Sequence, residues 1–294
     1  MSKKSSSKTN FLAQGTILVI ASFVAKAIGM IYRIPLTHIL GDDGNGYYST
    51  ANEIYTIILM ISSFSLPLAV SRLVAEREYA GEVKNSYKVL ICSLRFAAVT
   101  GGILSILTFL LGGVITKYVM GVELASYALR VLAPAIFLFA LTGVLRGFFQ
   151  GHGTMVPTAV SQIIEQIINA IVSVAGAYVM LQYGLKLGEK KGDAELGTAL
   201  AAAGGTFGTV ASVGVALLFM IVIYLGYRNG FKRRMKKDKT RRRESDRAIY
   251  RAITYTILPI VLSTLVYNIS MIIDQGVFNH ILAGMGFTQK QYAT

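Results

Sequence analysis

Residues 11–36 read FLAQGTILVIASFVAKAIGMIYRIPL, an apolar run broken by two cations, Lys26 and Arg33. It is longer than the ~20 residues that an α-helix needs to cross a hydrocarbon core of ~30 Å. Lys26 and Arg33 are two turns apart, so on a helix they share nearly one face at a separation of roughly 10 Å along the axis. A charge within a span is costly wherever it meets lipid and usually faces a bundle interior or a water-filled cavity. The pair therefore points to a cationic pathway. The competing reading is that Arg33 snorkels to the nearer headgroups while Lys26 stretches towards its own side.

Working outward, comparable apolar stretches recur at 47–71, 89–116, 122–145, 156–183, 196–227 and 249–277. None shows the period-two alternation of a barrel strand, and in lipid only helices and closed barrels satisfy the backbone. The composition agrees: 53% of the 294 residues are hydrophobic, 15% are charged and the mean hydropathy is +0.55. This is too apolar for an ordinary soluble domain. The expected fold is an all-α integral membrane protein. The first run carries Lys26, Arg33 and Pro35 where a leader would carry a small-residue cleavage site, so it reads as a retained span. The single cysteine, Cys92, falls inside the third run and excludes an intrachain disulfide. Tryptophan is absent, and tyrosines near the span ends, among them Tyr47, Tyr87 and Tyr224, take the interfacial role.

The net charge of +14 resembles a nucleic-acid signal until it is mapped onto the loops. With the N-terminus inside, twenty Lys or Arg collect on one side and four on the other. The positive-inside bias then puts the N-terminus in the cytoplasm of a seven-crossing chain. Most of the basicity is residues 228–251, RNGFKRRMKKDKTRRRESDRAIYR, with twelve cations against Asp238, Glu244 and Asp246. Such a segment suits a solvated stretch over anionic inner-leaflet lipids, at roughly 1 kcal/mol per basic residue near the surface. Nucleic acid is not the expected partner.

The segment GMIYRIPLTHIL at 29–40 sets beside MIIDQGVFNHIL at 271–282, both ending in His-Ile-Leu. Read as a repeat, it makes the seventh span the opening of a second unit, the plan of transporters built from two halves. The organisation expected is then a tail at 1–10, a six-helix lobe at 11–227, a basic linker at 228–248, and at 249–294 the start of a second lobe, truncated here. A second lobe from a longer chain, or a second copy in a homodimer, would supply the opposite wall.

Further polar residues lie within the spans: Glu53, Arg95, Arg130, Glu165 and Asp274. Arg95 and Arg130 lie near span ends and read as snorkelling. Glu53 lies at a depth similar to Arg33 and either pairs with it or serves a substrate or proton. Gln162, Glu165, Gln166 and Asn169 occupy positions i, i+3, i+4 and i+7, one polar helical face suited to interhelical hydrogen bonds or a wet cavity. In the seventh span Asn268 and Gln275 share a face, with Asp274 beside them. No metal-ligand cluster, nucleotide-binding loop or nucleophile motif is present in the sequence, so neither an enzyme nor an ATP-driven pump is expected, and no cofactor.

The stretch RGFFQGHGTMVP at 146–157, followed by Ser161-Gln162 and Glu165-Gln166, together with LPLAVSR at 66–72, resembles the multidrug/oligosaccharidyl-lipid/polysaccharide exporter superfamily. The branch it looks most like is the stage V sporulation protein B group of polysaccharide biosynthesis proteins, itself similar to lipid II flippases. The resemblance implies a bacterial cell membrane protein with two six-helix lobes, of which this chain covers the first. It implies alternating-access transfer of an undecaprenyl-pyrophosphate-linked precursor, with Lys26 and Arg33 as contacts to the anionic pyrophosphate. Glu53, Glu165, Asp274, Asn268 and Gln275 are the candidate cavity or coupling residues. Lys26 matches the basic position of the flippase branch, three before Gly29. Tyr32 and Arg33 depart from it, standing where that branch has an arginine and an acid. A cation-coupled multidrug antiporter of the same superfamily and a non-transporting membrane scaffold are the alternatives.

Overall fold

A computed structural model describes residues 2–192, 195–240 and 243–285. Among these residues the chain runs through α1 (Ser2–Leu59), α2 (Leu66–Tyr79), α3 (Val83–Val114), α4 (Ala125–Gly151), α5 (Val156–Lys191), α6 (Leu196–Lys237) and α7 (Asp246–Gly284). Single π-helical segments, Met60–Phe64 and Ile115–Val119, join α1 to α2 and extend α3. No strand occurs among the described residues, so the expected all-α class is the observed one.

α1 is two arms rather than one rod. Gly41 adopts φ 64° and ψ −175°, a left-handed conformation that costs glycine nothing and a side-chain-bearing residue 1 kcal/mol or more. The chain folds back there. Tyr32 and Tyr48 are hydrogen-bonded to each other, although an unbroken helix would hold residues so spaced about 24 Å apart. The segment Gln14–Tyr79 thus contains the first and second expected spans, and Val83–Val119, Ala125–Gly151, Val156–Lys190 and Leu196–Lys237 are also long and apolar enough to cross a membrane.

Two buried clusters divide the helices lengthwise. One joins Leu36, Leu40 and Tyr47 of α1 to Leu129 and Leu132 of α4 and Ala199 of α6. The other joins Leu66 and Val70 of α2 to Val89 of α3, Phe148 of α4 and Met220 of α6, and it includes Ile249 and Ile253 of α7. The second cluster lies at the end that carries most of the cations, called the basic end below. α6 continues past the expected span end into the basic stretch, and its last turns place Phe231 in that same cluster. Apolar residues within a cationic sequence therefore dock it onto the lobe. Ion pairs add to this: Arg77 reaches Glu244 at 2.8 Å and Lys88 reaches Asp246 at 2.6 Å. The hydrogen bond from Lys88, with the charges of Lys88 and Arg95, holds the Asp246 carboxyl below the usual carboxylate range.

α5 and α6 form the most extensive helix pair. A Cβ built on Gly204 would fall 2.2 Å from the Gly176 carbonyl oxygen, and one on Gly208 would fall 2.0 Å from Ser173 Oγ. Close backbone approach between small residues supplies the dispersion contacts that hold helices together in lipid, where apolar burial gives no advantage. Gly204→Val should therefore separate α5 from α6. Overpacking of this kind costs about 1–3 kcal/mol and more where backbone is struck, so purified Gly204→Val should unfold at a lower temperature than wild type. Gly226→Ala, with no atom within 4 Å of its Cβ position, should match wild type in the same measurement.

Candidate functional site

Between the two arms of α1 lies a cavity of about 620 Å³. Gly29, Tyr32 and Arg33 line it from the first arm, and Tyr48, Asn52 and Glu53 from the second. Ile115, Val119 and Met120 close one side. The first two belong to the π-helical segment that ends α3, a deviation found often beside functional sites. Ser49, Asn52, Glu53 and Thr56 recur at i, i+3, i+4 and i+7, which is why one stripe of the second arm presents polar groups to the cavity while Ala51 and Tyr55 turn into the core.

A hydrogen-bonded seam positions these groups. Asn169 Nδ2 donates to Tyr32 Oη at 2.9 Å, and Ser173 Oγ donates to Asn169 Oδ1 at 2.8 Å. The hydroxyls of Tyr32 and Tyr48 bond each other, and Asn52 Nδ2 donates to the Tyr48 carbonyl at 3.1 Å. The seam ties α5 to the first arm and the first arm to the second. Each bond contributes about 1 kcal/mol net, but a buried partner left unsatisfied would cost about 1–3 kcal/mol.

Of the residues singled out in the sequence, Arg33 and Glu53 come together on this cavity. Lys26 lies on the same arm, exposed, and is not among the residues that line it. Glu165 is held elsewhere, because Arg146 Nη2 pairs with Glu165 Oε2 at 2.7 Å and Arg146 Nε donates to Ser161 Oγ at 2.9 Å. Both side chains of that pair are largely buried, at 7% and 14% exposure, so the pair neutralises two charges inside the α4–α5 contact. The rest of the α5 polar face packs against the first arm: Ser22 Oγ donates to Gln162 Oε1 at 3.4 Å, and Gln166 Oε1 would lie 3.6 Å from a Cβ on Gly29. Asp274 is exposed on α7, while the side chains of Asn268 and Gln275 lie outside the described residues. Of the two cations expected to snorkel, Arg95 is 64% exposed and lies 3.6 Å from Asp246. Arg130 folds over the space left by Gly112 and Gly113.

The 146–157 turn also has a defined structure. Gly147 and Gly151 of α4 are in contact with Pro67, Val70 and Val74 of α2. His152 lies between the rings of Phe148 and Phe231, with its Nε2 3.1 Å from Glu78 Oε1, and Glu78 also pairs with Arg234. The motif thus couples α2, α4 and the end of α6. His152 joins α4 to α2 and to the end of α6 through these contacts.

The comparisons with known proteins follow this geometry. The model of the polysaccharide biosynthesis protein family matches residues 11–286. The chain belongs to that family. It is 27% identical over 217 residues to stage V sporulation protein B of Bacillus subtilis (strain 168), covering 74% of this chain and 39% of that protein. It is 27% identical over 180 residues to the lipid II flippase MurJ of the same organism, covering 58% of this chain and 33% of that protein. The chain therefore spans well under half the length of these relatives. Among solved structures, an outward-facing multidrug resistance MATE family transporter of the MOP superfamily superposes with a TM-score of 0.70 at 20% identity, covering 90% of this chain and 54% of that one. The helical arrangement of this family member is thus one seen in the MOP superfamily.

Sequence reading singles out Tyr32 only as a departure from the flippase branch, and it missed Tyr48 and Asn52 on the cavity and the partner of Glu165. The polar stripe at 49, 52, 53 and 56 was a usable signal, having the same spacing as the one noticed in α5. Arg146→Ala should strand Glu165 in a buried setting, which costs about 3–5 kcal/mol. Thermal unfolding should show that loss, and Arg146→Met with Glu165→Met should restore most of it. A double variant as unstable as Arg146→Ala would contradict a purely structural pair.

Proposed function

We propose that the chain forms one lobe of a flippase that moves a polyprenyl-pyrophosphate-linked glycan precursor across the bacterial cell membrane. The observation that carries this reading is the cavity between the arms of α1, mostly apolar in its walls, with the Arg33 cation and a stripe of amide and hydroxyl groups on it. An apolar wall suits a polyprenyl chain, and a guanidinium suits a pyrophosphate, which it can hold through two parallel charge-assisted hydrogen bonds. Similarity to the lipid II flippase MurJ and to stage V sporulation protein B supports the same substrate class. Arg33 is the first anion contact in this reading. Lys26, exposed two turns along the same arm, is the second.

The charge bias of the loops supports an N-terminus in the cytoplasm, and in this reading transfer runs from the inner to the outer leaflet. Alternating access needs a wall facing the first lobe, supplied by a second lobe or by a second copy of this chain. Glu53, on the same cavity as Arg33, serves to balance the cation or to couple an ion. Asp274 on α7, with Asn268 and Gln275 on the same helix, belongs to the facing wall. The stretch at 228–248 rests on anionic inner-leaflet lipids. A multidrug antiporter is the second reading, favoured by one observation: the fold matches a multidrug resistance MATE family transporter, and a carboxylate, Glu53, lines the cavity.

Complementation separates the two. The complete gene should restore growth to a bacterium depleted of its lipid II flippase, and Lys26→Ala with Arg33→Ala should abolish that rescue while leaving protein levels unchanged. Full rescue by the double variant would overturn the cationic-cavity reading. Drug efflux lost with Glu53→Gln, in a gene that fails to rescue growth, would favour the antiporter.

A further inference from the structure

A second cavity, of about 750 Å³, opens at the basic end between the start of α3, the end of α6 and the residues leading into α7. It is separate from the cavity between the arms of α1 and shares no residue with it. Six cations line it: Lys84, Lys88 and Arg95 on α3, Lys232 and Lys236 on α6, and Arg243. Asp246 is the one carboxylate among its lining residues.

The cations fall into two sets. Those on α3 are occupied by the protein. Lys84 Nζ donates to the Asp238 carbonyl at 2.8 Å, and Lys88 Nζ donates to the Glu244 carbonyl at 2.6 Å and pairs with Asp246. Arg95 shares Asp246 at 3.6 Å. Lys232, Lys236 and Arg243 have no carboxylate within salt-bridge distance among the described residues. Lys232 and Lys236 are one turn apart on α6, a like-charge spacing that destabilises a helix unless an anion lies between them.

The lining is not all charged. Asn85, Tyr87, Ile91, Cys92 and Met235 complete it, and Ile91 and Cys92 already belong to the apolar run of α3. The pocket therefore straddles the boundary between the basic end and the membrane-crossing helices, with apolar side chains interleaved among the cations of α3 and α6. A nucleic acid or an acidic peptide would use the cations but not those apolar side chains. A phosphate carrying an acyl chain uses both, and basic pockets between helices at the cytoplasmic face bind lipid headgroups in this way.

We propose that this pocket binds a phosphate group at the membrane boundary, with Lys232, Lys236 and Arg243 as its contacts. The apolar side chains among the cations favour an anionic phospholipid as the source over a soluble phosphate. The site goes beyond a general attraction of basic residues to the leaflet because it assigns three of them to one bound group, and it stands whether or not the chain is a flippase. Occupancy would tie α3, α6 and the segment before α7 together, fixing the joint between the lobe and the helix that follows.

The test compares two triple variants with the same loss of charge. K232Q/K236Q/R243Q empties the pocket of its unpaired cations, whereas R233Q/K237Q/R247Q removes three exposed cations that do not line it. The wild-type chain in phosphatidylglycerol nanodiscs should retain a lipid adduct in native mass spectrometry and unfold at a higher temperature than in phosphatidylcholine. The pocket triple should lose about tenfold in adduct, equivalent to about 1.4 kcal/mol, together with the thermal difference, while the other triple keeps both. Circular dichroism checks that both triples are folded. A thermal shift reproduced by inorganic phosphate in lipid-free detergent, and lost in the pocket triple, would assign a soluble source. A shift confined to phosphatidylglycerol assigns the headgroup. Equal losses in the two triples, or no loss in either, would overturn the proposal.

Discussion

The reversal of the chain at Gly41 is the constraint on which the rest of the molecule depends. A single left-handed residue ends one helix and starts the next without an intervening loop, so the two arms of α1 meet over several turns. That contact brings Arg33 to the same cavity as Glu53. It also requires that the polar groups brought along with them find partners, since an unsatisfied group in this setting costs more than a satisfied one returns. The seam from Ser173 through Asn169 and Tyr32 to Tyr48 meets that requirement.

The two ends of the lobe are then built differently. At the end carrying Gly41 the helices pack through small residues and a cluster that includes Tyr47 and Leu129, and the polar chemistry faces a cavity. At the basic end the chemistry is spent on structure. Arg146 neutralises Glu165, Glu78 gathers His152 and Arg234, and the cationic stretch is docked by Phe231, Ile249 and Ile253. Arg146 and Glu165 are paired between helices, whereas Arg33 and Glu53 line a cavity.

The first six spans were legible in the sequence because length and apolarity suffice to mark them, and the polar face of α5 was legible because its spacing repeats every turn. What those polar residues touch was not. Asn169 meets Tyr32 from a helix 137 positions away, and nothing local encodes such a pairing. Glu165 looked like a cavity residue for the same reason: its partner, Arg146, lies 19 positions earlier, across the α4–α5 turn. Lys26 and Arg33 do share an arm, as their spacing requires, yet only Arg33 lines the cavity, because the second arm crosses beside the later turns of the first. The docking of 228–251 was masked by its charge, since Phe231 and Ile249 among twelve cations leave little trace in composition.

Photocrosslinking in the complete protein tests the central claim most directly. A benzophenone side chain placed at Asn52, within the cavity, should capture a radiolabelled polyprenyl-pyrophosphate analogue, and excess unlabelled analogue or Arg33→Ala should abolish the capture. The same side chain at Ile106, exposed on the outer face of α3, should give only weak labelling that neither treatment changes. Equal capture at the two positions, or capture at Asn52 that survives loss of Arg33, would contradict the account.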